Sequence, residues 1–113
     1  MIIVTDSSVA GMRVARTLGM VRGNTVRARH LGNDLMAFFR GWVGGEVHEY
    51  TKLLAESREH ALDRMAEEAK SLGANAVIDV RFSTSYIATN MAEIMVYGTA
   101  VVLEPQDGSV PEE

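Results

Sequence analysis

The feature that most constrains this chain is the stretch Glu46 to Leu72, which contains neither glycine nor proline and is bounded by Gly44-Gly45 and Gly73. Val47, Tyr50, Leu54, Ala61, Met65, Ala69 and Leu72 recur in it at spacings of three, four or seven, while Glu49, Lys52, Glu56, Glu59, Asp63, Glu67 and Lys70 fill the opposite side. That period is one face of a long α-helix. Its acidic start and the terminal Lys70 suit the helix dipole, and Gly73 is the natural C-terminal cap. Such a helix buries a single stripe, so the rest of the chain has to supply the surface beneath it.

The flanking segments have a period of two. Ile2 to Thr5 is a short strand followed by the turn Asp6-Ser7-Ser8. From Met12 the even positions Met12, Val14, Leu18 and Met20 are apolar, which predicts a strand with one covered face. Gly23-Asn24 is either a hairpin turn or a bulge in a longer strand resuming at Thr25. Asn33 or Asp34 caps a short helix whose stripe is Leu31, Leu35, Phe38 and Trp42, with Phe39 beside it. Ala76 to Ile87 and Met91 to Leu103 are two strands of a hairpin; a three-residue loop over Ala88-Thr89-Asn90 pairs Phe82 with Val96, Ile78 with Ala100 and Ser85 with Glu93. Their even face is expected under the long helix. The odd face of the last strand carries Met91, Met95, Tyr97, Val101 and Leu103, so a second cover is needed: the short aromatic helix, another subunit, or both.

These elements predict a two-layer α/β (α+β) domain over residues 1–103, with a mostly antiparallel sheet, one long and one short helix, and a disordered acidic tail over 104–113. The absence of cysteine excludes a disulfide scaffold, thiolate metal sites and a cysteine nucleophile, and points to the cytoplasm. No apolar run approaches the ~20 residues that span a bilayer. Charge is divided unevenly. Residues 1–42 hold six arginines against Asp6 and Asp34, net +4, and the remainder holds five basic and thirteen acidic residues, net −8. Either the basic half binds anions, or the two halves meet head to tail between copies of the chain.

Gly44-Gly45, Tyr50, Arg58, Ala61, Met65, the run Leu72-Gly73-Ala74-Asn75-Ala76-Val77, Glu93-Ile94 and Gly98-Thr99-Ala100-Val101 resemble the YbjQ-like family of small prokaryotic proteins. The resemblance covers nearly the whole chain to Leu103. It implies a ring-shaped homopentamer with a long, bent second strand, which favours the bulge at Gly23, and it brings a heavy-metal-binding label.

Softer metals prefer thiolates, and here only methionine sulfur, imidazole and carboxylate are on offer. The candidate ligands for a divalent ion are His30, His48 and the i, i+4 pair Glu56 and His60, with a ring axis able to gather five copies of one histidine. Tyr50, Arg58 and Glu93 form a second group. Burial of such groups demands partners, so they are expected either to pair structurally or to line a polar pocket between subunits, with Arg58 of one copy meeting Glu93 of the next. No nucleophile–base–orienter set and no phosphate loop stands out. Arg22 and Arg27 fall on opposite faces of their strand without interleaved aromatics, which argues against nucleic acid, and Phe38, Phe39 and Trp42 are expected in a core or interface and not in a membrane surface. The sequence thus points to a homo-oligomeric assembly or binding protein whose subunit interfaces hold a metal or a small anion. The alternative is a hydrolase-like enzyme with an inter-subunit site.

Overall fold

The computed structural model describes residues 1–28, 44–88 and 91–106. The expected short helix, the loop residues Thr89-Asn90 and the last seven residues of the expected tail lie outside them. The chain order is β1 (Ile2–Ile3), β2 (Met12–Ala28), α1 (Gly44–Ser71), β3 (Ala76–Ala88) and β4 (Met91–Pro105). One four-stranded sheet runs in the order β1-β3-β4-β2. It is mixed: β1 is parallel to β3, and β4 is antiparallel to both of its neighbours. β4 continues beyond the expected domain boundary at Leu103, with Glu104 opposite Arg13 and Pro105 opposite Met12.

Helix α1 lies over β2 and β4 on one face of the sheet. Its buried stripe is Ser57, Ala61, Met65 and Ala69, one residue every four, and three of these four side chains are small. Val21 of β2, Val77 and Val80 of β3, and Val96 and Ala100 of β4 complete this core. Small side chains bring helix and sheet close together at Gly23, where a Cβ would fall 2.0 Å from the Ala61 carbonyl oxygen and 2.5 Å from the Met65 nitrogen. The Thr25 hydroxyl donates to the Ser57 carbonyl at 2.8 Å in the same buried seam. The helix ends as the sequence predicts. Gly73 adopts φ 91°, its N–H donates to the Lys70 carbonyl, and the Ala74 N–H donates back to Ala69, which is a Schellman closure.

Gly23-Asn24 is neither a hairpin turn nor a bulge. β2 passes through it in regular register, Gly23 opposite Val96 and Asn24 opposite Met95. The irregularities lie upstream, between Val14 and Arg16 and between Thr17 and Gly19. Each inserted residue moves the following side chains to the other face, which overturns the expectation that Met12, Val14, Leu18 and Met20 share a covered face. Met12 packs against a small second cluster on the face away from the helix, Leu18 packs under the helix, and Met20 is 67% exposed.

A third irregularity sits at Asp79, a non-glycine residue at φ 55°, so that Ile78 pairs with Thr99 and not Ala100. Beyond it the expected register holds from Arg81 to Tyr86, with Phe82 opposite Val96 and Ser85 opposite Glu93. A further shift between Tyr86 and Ala88 then puts Ala88, and not Ile87, opposite Met91, so that Ala88 belongs to β3 and not to the expected three-residue loop. The shift puts Ile78 on the far face with Ala76, Val101 and Leu103, where Val4, Val9 and Met12 cover them. The N-terminal segment therefore supplies part of the second cover that the odd face required. The Asp79 conformation is held by the Ser7 hydroxyl, which donates to its carboxylate at 2.7 Å, and by its own N–H, which donates to the Asp6 carbonyl.

Gly23→Ala tests the close approach. At an open site the change would stabilise slightly by restricting the unfolded chain. Here the methyl has to push the helix off the strand, at a cost of about 1–3 kcal/mol or more. Thermal unfolding should show a midpoint lowered by several degrees, whereas an unchanged or raised midpoint would mean that helix and strand do not meet at this position.

Candidate functional site

Among the described residues, the face of the sheet away from α1 is covered only in part, by the N-terminal segment. Beyond that cover, the strand register lays out its side chains in rows: Arg81, Tyr97 and Arg22 across β3, β4 and β2, then Ser83, Met95 and Asn24, then Ser85, Glu93 and Val26. Met20 lies two residues before Arg22 on the same face. Met20, Arg22, Ser83, Met95 and Tyr97 line an open cavity of about 330 Å³. Met20 and Met95 give it an apolar lining, while the Arg22 guanidinium, the Tyr97 hydroxyl and the Ser83 hydroxyl make no hydrogen bond or ion pair among the described residues. Arg81, by contrast, is occupied, donating to the carbonyls of Thr5 and Val80.

The sequence-predicted residues are not gathered here. Glu93 is half-buried on this face and accepts one hydrogen bond from the Asn24 amide at 3.0 Å. Arg58 is exposed on α1, on the other side of the sheet, so it does not reach Glu93 within one chain. Tyr50 lies in α1, but its side chain, like that of His48, is outside the described residues, as is the whole of His30. Glu56 and His60 are one turn apart and exposed on α1. Among the described residues no three histidine, aspartate or glutamate side chains come together. With no cysteine in the chain and only the thioethers of Met20 and Met95 at the cavity, this donor set does not fit a soft heavy metal.

A period of two in the last strand puts Met95 and Tyr97 on the face they occupy but does not bring Arg22 beside Tyr97. That juxtaposition depends on the two upstream bulges of β2, which no glycine–asparagine or proline signal marks.

A family model described as "Putative heavy-metal-binding" matches residues 1–104. The chain is 53% identical over 104 residues to a UPF0145 protein of Dehalococcoides mccartyi, with 92% of this chain and all of that protein covered. It is 55% identical over 106 residues to a UPF0145 protein of Pyrococcus abyssi, covering 94% and 93%, and 55% identical over 104 residues to one of Thermus thermophilus, covering 92% and 91%. The chain belongs to this family, the YbjQ-like or UPF0145 proteins. Its fold is shared with a crystallised protein of unknown function, of the DUF74 family, from Pediococcus pentosaceus: TM-score 0.64 at 15% identity, covering 92% of this chain and 98% of that one.

The motif that most specifies the resemblance proves to be architectural. In Leu72-Gly73-Ala74-Asn75-Ala76-Val77, Gly73 and Ala74 close the helix. The Asn75 amide donates to the Leu103 carbonyl at 2.9 Å while its oxygen accepts from the Leu103 N–H at 2.7 Å. The side chain thus behaves as an extra strand residue beside β4. Asn75→Ala should cost about 2 kcal/mol from two lost, partly buried hydrogen bonds. Denaturant unfolding measures this directly, and an unchanged midpoint would remove the motif's structural role.

Proposed function

We propose that this chain is a homo-oligomeric binding protein, assembled as a ring of five, whose interfaces hold a small anion rather than a soft metal. The observation that carries the reading is the free margin of β3. β1 pairs only with Ala76 and Val77, and the backbone bonds from Val4 and Asp6 reach no further than Val80. From Arg81 to Ile87 no described strand lies on that side, and Phe82, Tyr86 and Ile87 are 45%, 73% and 53% exposed. An unpaired edge flanked by bare aromatics, with neither proline nor lysine to blunt it, favours pairing with another chain.

The other margin of the sheet is better protected. The Glu68 carboxylate accepts from the Arg22 backbone N–H at 2.9 Å, and Arg64 donates to the Asn24 carbonyl at 2.7 Å, so side chains of α1 satisfy the middle of the β2 edge. The two margins therefore differ, which supports a head-to-tail contact of the kind that closes rings. In such a ring Arg58 of one copy meets Glu93 of the next, with Tyr50 in the same polar lining. The partner is the chain itself, with neither nucleic acid nor membrane: Arg22 and Arg27 occupy opposite faces of β2, and no described helix is long and apolar enough to cross a bilayer. We place its work in the cytoplasm.

Light scattering should give roughly five times the 12.3 kDa chain mass in metal-free buffer, and Phe82→Lys with Tyr86→Lys should reduce it to that of one chain with the circular dichroism spectrum retained. A wild-type mass of one chain at micromolar concentration would overturn the assembly. A mass that collapses on chelation would restore the metal.

A further inference from the structure

The cavity on the open face goes beyond this reading, because it offers an anion site inside one chain and apart from the contact between copies. It lies wholly within one chain, between β2, β4 and β3, and Ser83, the residue after Phe82, joins it to the free margin.

Arg22 stands directly across from Tyr97 on adjacent antiparallel strands, so guanidinium and phenol share one row of the sheet. The Arg22 main chain is fixed by Glu68 on the helix side, which holds the residue in register and leaves its side chain to the open face. Glu68 spends its carboxylate on that backbone N–H from the opposite side of the sheet. The Glu93 carboxylate lies on the same face as Arg22 but is engaged by Asn24, and among the described residues no ion pair or hydrogen bond joins it to Arg22. The guanidinium is thus an exposed positive charge on an anchored backbone, with donors to spare beside two hydroxyls that also lack partners among the described residues. Guanidinium geometry suits the paired oxygens of a carboxylate or phosphate. The Met20 and Met95 side chains form an apolar surface next to these donors, and thioethers adapt well to a flat hydrocarbon or aromatic body. At about 330 Å³ the cavity falls at the lower end of the range for small-molecule sites.

From this arrangement we infer that the cavity binds a small organic oxyanion, a carboxylate or phosphate monoester attached to a flat apolar group. Arg22 and the Tyr97 and Ser83 hydroxyls hold the anionic end, and Met20 and Met95 cover the apolar body. Neither half suffices by itself, because an exposed guanidinium holds inorganic phosphate weakly in competition with water and salt, and a neutral aromatic leaves the guanidinium unmatched.

Calorimetric titration of the purified, assembled protein with benzoate, phenyl phosphate, inorganic phosphate and benzamide tests this. Benzoate and phenyl phosphate should bind once per chain, inorganic phosphate and benzamide at least tenfold more weakly. Arg22→Gln should weaken both organic anions at least tenfold, and Tyr97→Phe should weaken them severalfold. Light scattering on the same samples reports assembly separately, so a loss of oligomer is not mistaken for a loss of the site. The inference is overturned if Arg22→Gln binds the organic anions as wild type does, if benzamide matches benzoate, or if inorganic phosphate matches phenyl phosphate. Binding retained in a wild-type protein of single-chain mass would uphold the site and remove the ring.

Discussion

The architecture depends on the approach of α1 to β2 at Gly23. With no side chain on the strand and Ala61 above it, helix backbone and strand backbone come as near as their atoms allow. This fixes the helix over the β2 and β4 side of the sheet. It also brings Arg64 and Glu68 within reach of the β2 edge, where they satisfy backbone groups that would otherwise be free. The consequence at the opposite side is equally direct. A helix seated there does not extend over the outer half of β3, and Phe82 and Tyr86, which share the helix-side face of the sheet, stay bare.

Much of this was legible in the sequence because it rests on period and on caps. The long helix follows from the spacing of Ala61, Met65 and Ala69, and its end from Gly73; the hairpin was legible only in part, because Ala88, expected in a three-residue loop, is a strand residue opposite Met91. Ser57 was not legible: a serine in the buried stripe breaks the apolar pattern, yet it occupies the fourth-residue position before Ala61 and accepts from Thr25 through its carbonyl. Faces were legible only where strands are regular. Two inserted residues in β2, one at Asp79 and one between Tyr86 and Ala88 each exchange the faces, and alternation of apolar residues carries no mark of an insertion when Leu18 and Met20 look alike. The identity of Met20 as an exposed residue and of Leu18 as a core one follows from packing and not from local chemistry.

The same irregularities explain why the candidate site was hidden. Arg22 belongs to a basic half of the chain that suggests anions in general, but its neighbour across the sheet is set by the shifted register of β2 against β4. The residues that stood out in the sequence did so because charge on a packed element demands a partner. Glu93 finds one in Asn24, and Asn75, prominent through the family motif, spends its amide on the backbone of Leu103. A heavy-metal label sits poorly with such a donor set, and the charge, hydroxyls and thioethers of the open face fit an organic anion better.

In the proposed assembly the strip Arg81 to Ile87 is an edge completed by another copy of the chain. Hydrogen exchange across a dilution series, read on peptides spanning residues 81–87 and compared with those spanning 94–101 in the centre of the sheet, distinguishes a paired edge from a free one. The central peptides should be protected at every concentration. The 81–87 peptides should gain protection as concentration carries the protein through assembly, because outward-facing amides acquire partners only then. Exchange in 81–87 that stays fast while light scattering shows a fully assembled protein would contradict the account.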